Sequence, residues 1–340
     1  MNTCRSSALA ISQVDWPRVW GPPKTASAIR VRNQDFQVEE LLGFSPRGWG
    51  THAWLYLDNS GDNTAWIAQT VAQLAGVKLN QVSYSGLKDR HAVTRQWFSI
   101  NLVNRPMPDW RQLPASIRVL CVTRSGRKLR RGVHRANRFE ITLRDIQGDL
   151  DDLPPRLDAI ARRGVPNYFG EQRFGLRGSN LALGDRWARG EVRIKESHRR
   201  GLAISALRSY LFNASLARRV QNDTWDKVLV GDKCTGRGSP TGPLFGEGEP
   251  LNEGLPRAIE AEQERRWPTW IQALINARLR YERRALVIRP GCFSYSLNER
   301  SLTVRFTLDR GEFATAVLRE LSDYTDTSRP GTDNRFRSHQ

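Results

Sequence analysis

The feature that most constrains the fold is a helical block that interrupts a chain otherwise patterned for β-strands. Apolar residues alternate with other residues through His52–Asp58, Phe139–Leu143 and Leu302–Leu308, which is typical of strands with one buried face. Within Ile204–Ala214 the apolar residues recur instead at helical spacing. Strand and helix patterns interleave without regular βαβ spacing, so the sequence predicts an α+β fold with a mixed, mainly antiparallel sheet.

The order of these patterns predicts a discontinuous sheet domain with an inserted, mainly helical domain. We expect residues 28–163 and 289–324 to form the sheet-based domain and residues 164–288 to form the insertion. A chain of 340 residues is long enough for two domains. Residues 1–27 are expected to be a flexible lead-in, and the polar residues 325–340 a disordered tail.

The charge of the chain indicates a polyanionic partner. It has 53 Lys and Arg against 35 Asp and Glu, a formal net charge of +18. Arginines can be merely solvated, but an excess of this size attracts polyanions, and nucleic acid is the common one in the cytoplasm. No apolar run is long enough to span a bilayer, and the first residues lack an apolar signal core. We therefore expect a cytoplasmic, water-soluble protein without a membrane partner.

The cysteines and histidines do not form a metal-binding pattern. The four cysteines are far apart in sequence, and the five histidines include no HExxH or similar cluster. We therefore expect neither a metal nor a disulfide framework in this chain.

The stretch SYSGLKDRHAVTRQWFSI, Ser83–Ile100, has two strand ends separated by a charged loop. In that loop Asp89 lies between Lys88 and Arg90. Such a carboxylate commonly belongs to an exposed salt bridge in a solvated turn. The alternative is a nucleophile that the surrounding cations keep ionised. No second carboxylate or metal-ligand pattern accompanies it, which argues against a two-metal nuclease or a glycosidase-like pair.

A basic stretch, Arg124–Arg138, contains no acidic residue. Its length favours contact with phosphate over a merely solvated loop, and arginine suits bidentate phosphate contacts. At its end, Asn137 and Phe139 share one face of an extended segment. The amide could bond a pyrimidine edge while the ring stacks on the base, although a phenylalanine in such a pattern is more often part of the core.

Six sequence blocks, in order along almost the whole chain, resemble TruD-type tRNA pseudouridine synthases, the class that isomerises uridine 13 of tRNA. The blocks are DFQVEE (Asp35–Glu40), SGLKDRHAVTRQWFS (Ser85–Ser99), RKLRRGVHRANRF (Arg127–Phe139), GVPNYFGEQRFGLRGSN (Gly164–Asn180), SALRSYLFN (Ser205–Asn213) and GEFATAVLREL (Gly311–Leu321). The GLKDRHAVTRQ and PNYFGEQRFG portions are highly specific. Three parts of the chain depart from the family pattern. Ala136 stands where a glycine is common, Asp309–Arg310 precede Gly311 where an LP-type pair is frequent, and Asp58–Asp62 replaces a more basic, Asn-containing turn.

The resemblance implies an isomerase: a pseudouridine synthase catalytic domain with a helical TRUD insertion, tRNA as substrate and no cofactor. Asp89 falls on the catalytic aspartate, and Arg30 falls where a basic residue is expected near it. The expected substrate-binding residues are Phe36, Asn137 and Phe313, which line the uridine pocket, and Phe139, which stacks on the target base. Contacts with the RNA backbone are expected from Lys88, Arg90, Arg127, Lys128, Arg130 and Arg131, and we expect a monomer.

Two alternatives stay open at this point. A non-catalytic RNA-binding protein could share the fold and the basic surface, but it could lose Asp89 freely, so the presence of this residue favours the enzyme. A nucleic-acid hydrolase would need a metal cluster or paired carboxylates. The resemblance also leaves open whether Asp89 attacks C1′, attacks C6 or acts first as a base.

Overall fold

A computed structural model describes residues 15–328 of the chain. Within them the chain forms two compact units. The sheet unit comprises residues 23–157, 290–312 and 321–328, and the helical unit comprises residues 15–22, 158–289 and 313–320.

The regular elements are numbered in chain order. The strands are β1 (Thr25–Ile29), β2 (Phe36–Leu41), β3 (His52–Ser60), β4 (Val82–Tyr84), β5 (Val93–Asn101), β6 (Ile117–Ser125), β7 (Ala136–Gly148), β8 (Val165–Pro166), β9 (Thr241–Leu244), β10 (Glu282–Ala285), β11 (Val287–Ile288), β12 (Gly291–Asn298), β13 (Ser301–Asp309) and β14 (Asp323–Asp326). The α-helices are α1 (Thr64–Leu74), α2 (Leu153–Arg163), α3 (Ser179–Ala188), α4 (Ser197–Gln221), α5 (Gly254–Arg266), α6 (Pro268–Asn276) and α7 (Ala314–Leu321).

The sheet unit is organised by one sheet of ten strands among the described residues. Its main path runs in the order β12–β13–β7–β2–β5–β3–β6, while β1 joins β7 and β14, and β4 joins β5. The pairs β2–β5 and β1–β14 are parallel, and the other pairs are antiparallel. The predicted α+β fold with a mixed, mainly antiparallel sheet is therefore confirmed.

Strand β7 determines which side chains meet near the Asp89 loop, because it pairs with β2 on one side and with β13 on the other. Phe139 lies opposite Val38 and Phe306, and Asn137 lies opposite Glu40. Since successive side chains of a strand alternate between faces, Asn137 and Phe139 share a face with Glu40 and Val38. Along β7, this face therefore carries the polar Asn137 and, at the next position on the same face, the aromatic Phe139.

Helix α1 packs its apolar side on the sheet, where Ile67 and Phe98 belong to one buried cluster. Asn63 caps the helix by accepting a hydrogen bond from the backbone N–H of Trp66 at 2.8 Å. This cap fixes the first turn and with it the buried Thr64, whose hydroxyl accepts a hydrogen bond from the loop after β4.

The helical unit has its own core, in which helix α4 contributes Tyr210 and Phe212 and helix α6 contributes Trp270. The strand pairs β8–β11 and β9–β10 form two small sheets in this unit. The unit also includes residues 15–22, because Val19 donates its backbone N–H to Glu320 at 3.2 Å. The sequence pattern instead predicts that residues 15–22 belong to a flexible lead-in.

The described ends of the sheet unit form a parallel strand pair. Strand β14 pairs with β1, with Asp326 opposite Ile29. The hydroxyl of Ser27 donates to that of Ser322 at 2.8 Å. Residues 325 and 326 thus lie in a strand where the sequence predicts the start of a disordered tail, because pairing with β1 satisfies the backbone of a polar segment. The predictions for residues 1–14 and 329–340 fall outside the described residues.

Within residues 15–328, no helix is long and apolar enough to cross a membrane.

Candidate active site

The Asp89 loop, Ser85–Ala92, connects β4 to β5 and is anchored by Glu40 of β2. The Glu40 side chain has no exposed surface. Its carboxylate accepts hydrogen bonds from the Ser85 hydroxyl at 2.6 Å and from the Lys88 ammonium at 3.3 Å. One buried carboxylate therefore fixes the loop at two positions, one of them directly before Asp89.

Two further hydrogen bonds, from strand β5 and helix α1, help to anchor the Asp89 loop. The Gln96 side chain donates to the backbone carbonyl of Gly86. Thr64, in the first turn of α1, accepts the backbone N–H of Lys88 at 2.9 Å. Because strand and helix side chains hold the loop on both sides of its turn, the loop can present Asp89 in a defined position.

Asp89 itself is held by Arg30, which follows β1. The Arg30 side chain is 4% exposed, whereas that of Asp89 is 40% exposed. Arg30 donates one hydrogen bond to Asp89 at 2.8 Å and another to Asp326 at 2.6 Å. Its backbone has a φ of 57°, in the left-handed region that costs energy for a residue with a Cβ. This buried guanidinium thus joins the exposed carboxylate to a second carboxylate on β14.

An aromatic group lies beside this ion pair. The guanidinium of Arg30 lies 4.0 Å from the centre of the Phe36 ring, a distance suited to a cation–π contact. The Phe36 ring meets Phe139 edge to face at 6.3 Å, and Phe139 stacks on Phe306 at 5.5 Å. Phe139 is 8% exposed, so most of its ring surface is occupied by protein neighbours.

Asn137 lies between two basic side chains. Lys88 donates from its ammonium to the Asn137 Oδ1 at 2.9 Å. On the other side, the Asn137 Nδ2 lies 3.4 Å from the His134 Nε2. The amide is thus contacted at both its oxygen and its nitrogen.

The two basic groups beside Asn137 have altered acidities. Burial lowers the pKa of Lys88, and the neighbouring Glu40 carboxylate opposes this effect. Burial also lowers the pKa of His134; Glu40 opposes the shift, whereas Lys88 and Arg310 add to it. His134 is therefore favoured as a neutral ring at neutral pH.

Within the part of the chain that the structure describes, no group of three or more His, Cys, Asp or Glu side chains is arranged to hold a metal ion.

Comparison with known proteins places this chain in a family. The model of the family described as tRNA pseudouridine synthase D (TruD) matches residues 18–195 and 234–321. The protein named tRNA pseudouridine synthase D in Cellvibrio japonicus is 44% identical over 314 residues, which cover 91% of this chain and 93% of that protein. The chain belongs to the tRNA pseudouridine synthase D family.

Further TruD relatives agree in sequence and in fold. The protein of the same name in Methylococcus capsulatus is 40% identical over 343 residues, covering 94% of this chain and 97% of that protein. A crystal structure assigned to TruD of Methanosarcina mazei aligns with a TM-score of 0.70 over 92% of this chain and 95% of that one, at 18% identity. The family resemblance predicted from the six sequence blocks and the pseudouridine synthase fold are therefore both confirmed.

Most of the site residues predicted for the TruD family lie in the sheet unit. The structure brings Asp89, Arg30 and Phe36 together through the ion pair and the cation–π contact. Asn137 and Phe139 lie two residues apart on β7, on the face that they share with Glu40 and Val38 of β2. Their roles toward a substrate stay predictions.

Phe313 lies in the helical unit, directly before α7. Its ring is 6.1 Å from that of Phe169, and the guanidinium of Arg173 lies 5.8 Å from its centre. Its role toward a substrate also stays a prediction.

The predicted RNA contacts differ in exposure. Four of them are exposed and form no ion pair with a described carboxylate: Arg127, Lys128, Arg130 and Arg131. Arg90 is exposed and donates to the backbone carbonyl of Gly61 at 3.2 Å. Lys88 is different, since its side chain is 8% exposed and its ammonium bonds Glu40 and Asn137. This geometry favours a positioning role for Lys88 over a phosphate contact.

Sequence reasoning missed several polar residues of the candidate site, above all Glu40, His134 and Asp326. A signal for Glu40 is present in the sequence, because it follows Phe36 and Val38 at a spacing of two and should share their buried face. His134 and Asp326 gave no such signal. The first lies in a basic loop, and the second depends on the pairing of β14 with β1.

Proposed function

We propose that this chain isomerises uridine to pseudouridine in tRNA, at nucleotide 13, with Asp89 as the nucleophile. The observation that carries the proposal is the Arg30–Asp89 pair, in which a buried guanidinium orients a partly exposed carboxylate at 2.8 Å. Membership in the TruD family supports the reaction class and the RNA substrate.

The proposed reaction exchanges one bond to the ribose for another. The C1′–N1 bond breaks, the uracil turns, and a C1′–C5 bond forms. C5 then loses its proton and N1 gains one, so no oxidant, reductant or co-substrate is consumed. A carboxylate can serve as a nucleophile at C1′ or C6, or as a proton acceptor, and Asp89 is the reacting group in each of these routes.

The target base must leave the RNA stack before it can react. We propose that Phe36, Asn137 and Phe139 receive it beside Asp89. The Asn137 amide pairs with an edge of the base, while the aromatic rings supply a flat apolar wall. Phe139 already packs against Phe306, so its contact with a base uses the part of its ring that its neighbours leave open. We also propose that Phe313 lines the uridine pocket, because it lies in the block GEFATAVLREL, which resembles the family.

The tRNA backbone is proposed to lie on the exposed basic side chains of the stretch Arg124–Arg138. Arg130 and Arg131 are exposed there, while the preceding Leu129 is buried in a cluster with Leu42 and Trp54. This arrangement anchors the stretch and leaves its cationic groups available for phosphates. A monomeric state and a cytoplasmic location, where tRNA is found, belong to the same proposal.

Incubation with unmodified tRNA, followed by mapping of pseudouridine at nucleotide resolution, tests the activity and the target together. We expect pseudouridine at nucleotide 13 and at no other uridine. Modification of a different nucleotide would retain the reaction and overturn the position. Binding of tRNA without any pseudouridine would support the alternative of a non-catalytic RNA-binding protein.

A further inference from the structure

The orientation of the Asn137 amide is determined by its two neighbours. An ammonium has hydrogen-bond donors only, so Lys88 requires the Oδ1 atom to face it, at 2.9 Å. The Nδ2 atom then faces the His134 Nε2 at 3.4 Å. Building on the proposed function, we propose that Lys88 and His134 are positioning residues that fix this amide so that the site accepts uracil and rejects cytosine.

The Lys88 end of this arrangement is rigid. Glu40 lies directly opposite Asn137 in the pairing of β2 with β7. Its carboxylate is held by the Ser85 hydroxyl at 2.6 Å and by the backbone N–H of Trp97 at 3.4 Å. The ammonium of Lys88 is thus confined between a fixed carboxylate and the amide oxygen, and it cannot swing away without leaving a buried charge unpaired.

The His134 end requires one particular tautomer. The amide nitrogen of Asn137 only donates, so the His134 Nε2 must accept and the proton must lie on Nδ1. That buried Nδ1 has no hydrogen-bond partner in the described structure. An unpaired buried polar atom destabilises a folded protein, because it loses its hydrogen bonds to water without replacement. Stability alone therefore does not account for this histidine, whereas a task for its Nε2 does.

A fixed amide discriminates between the two pyrimidines. Uracil presents an N3–H donor flanked by two carbonyl acceptors, whereas cytosine presents an N3 acceptor flanked by an amino donor and one carbonyl. Lys88 and His134 use one lone pair and one N–H of Asn137, which leaves one acceptor and one donor for the base. In the observed orientation these match N3–H and a neighbouring carbonyl. With N3 of cytosine in the place that N3–H of uracil occupies, the amide oxygen would face an acceptor, and only a rotated amide would match the N3 and amino groups.

The same fixed amide suits the turn that the base must make. A half-turn about the line through N3 and C6 exchanges N1 with C5 and exchanges O2 with O4. The donor N3–H is then still flanked by carbonyls, so Asn137 finds the same pattern before and after the turn. One amide orientation therefore holds the free uracil in both positions, which cytosine with its unequal flanking groups does not allow.

The test compares His134→Leu with His134→Gln. Glutamine keeps a hydrogen-bond acceptor near the position of Nε2, and leucine does not. Equilibrium binding is measured in an Asp89→Asn background, so that no substrate is consumed, with tRNA carrying uridine or cytidine at the target nucleotide. We expect His134→Leu to reduce the preference for uridine about tenfold, and His134→Gln to restore it to within about threefold of the parent protein.

A second pair of changes tests the other end of the arrangement. Glu40→Gln combined with Lys88→Met removes both buried charges together and leaves the amide oxygen without its donor, and it too should reduce the preference for uridine. This variant also covers the case in which His134→Leu does not fold.

Three outcomes would overturn the inference. The first is an unchanged preference for uridine in His134→Leu or in the Glu40→Gln, Lys88→Met variant. The second is an equal loss of this preference in His134→Leu and His134→Gln. The third is a parent protein that binds the two tRNAs equally. Absence of pseudouridine formation by the unmodified chain would instead overturn the proposed function, and the binding comparison would still test the amide.

Discussion

Arg30 and Asp89 form an ion pair that reaches from the interior to the surface: the guanidinium is 4% exposed, and the carboxylate that it holds at 2.8 Å is 40% exposed. The same guanidinium also holds Asp326 at 2.6 Å. With two carboxylates bound from one rigid plane, Arg30 has little freedom to move. The orientation of Asp89 is therefore a property of the fold as well as of its own loop.

Replacing Asp89 with asparagine should abolish pseudouridine formation and leave tRNA binding within a few-fold. The change keeps the size of the side chain but removes its nucleophilic charge, and loss of a nucleophile lowers kcat on the order of 10³-fold or more. Asp109→Asn is a matched control, because Asp109 is also 40% exposed and bonds Arg111 at 2.8 Å. Pseudouridine formation measured on tRNA checks the prediction, and an active Asp89→Asn protein would remove Asp89 from its proposed role.

Replacing Arg30 with lysine should lower kcat about 100-fold with little change in KM, because a lysine cannot donate to two carboxylates in one fixed plane. Asp89 would then keep its charge but lose its orientation. Asp326→Asn retains an acceptor for Arg30, and its effect on kcat should stay below about tenfold. Steady-state kinetics of Arg30→Lys and Asp326→Asn check the prediction. Equal losses of kcat in the two variants would show that Arg30 does not act through its hydrogen bond to Asp89.

Replacing Glu40 with alanine should lower the free energy of unfolding by about 3–5 kcal/mol, because it leaves the buried Lys88 ammonium without its counter-charge. Lys88 is 8% exposed and Glu40 is not exposed at all. The double variant Glu40→Gln, Lys88→Met should recover a large part of that loss. Urea unfolding measures both effects, and a change below about 0.5 kcal/mol in the single variant would contradict the buried pair.

The sequence predicts the Asp89 site unevenly, and the reason is the separation of its parts along the chain. Alternating apolar residues locate the strands on both sides of the Asp89 loop, so the position of Asp89 on a loop between strands was predictable. The partners of Arg30 were less so. Asp326 reaches Arg30 only because β14 pairs with β1, almost 300 residues away. A polar terminal segment carries no local sign of such pairing.

Glu40 shows a different limit of sequence reasoning, because its spacing from Phe36 and Val38 predicts a buried side chain while its acidic neighbour predicts an exposed one. A glutamate followed or preceded by another charge is normally read as solvent-exposed, and Glu39 precedes it here. The register between β2 and β7 makes the distinction, because it places Glu40 opposite Asn137 and beneath the Asp89 loop. Registers between strands distant in sequence depend on the whole sheet and cannot be derived from one strand alone.

The stability of the protein should fall as the pH drops below about 6.5, and His134 should account for part of the fall. Burial lowers the pKa of His134 in the folded state, so below pH 6.5 the unfolded chain binds more protons than the folded one. Stability is then lost as the pH falls from 6.5 toward the folded pKa. The effect is checked by measuring the midpoint of unfolding at several pH values from about 7.5 to about 5, a range that brackets the ordinary histidine pKa of about 6.5.

His134→Gln should flatten this pH dependence, since glutamine does not titrate. The pKa of His52 is also lowered, mainly by burial and to a smaller extent by Lys128. His52→Gln is therefore the control that measures the contribution of His52 to the pH dependence. If His134→Gln leaves the slope of stability against pH unchanged, His134 is not the titrating group.

Reversing the charges of Arg130 and Arg131 to glutamate should weaken tRNA binding and flatten its dependence on salt. Each phosphate contact contributes roughly 0.7–0.9 to the slope of log K against log salt concentration, so losing two should reduce the slope by about 1.4–1.8. Arg111 and Arg118, whose side chains are 91% and 69% exposed and pair with Asp109 and Asp58, give a double reversal of the same charge outside the basic stretch. Because both double variants change the net charge equally, a general effect of charge would alter the two slopes alike. Binding titrations over a range of salt concentrations distinguish the cases, and equal slopes in the two variants would place the phosphate contacts elsewhere.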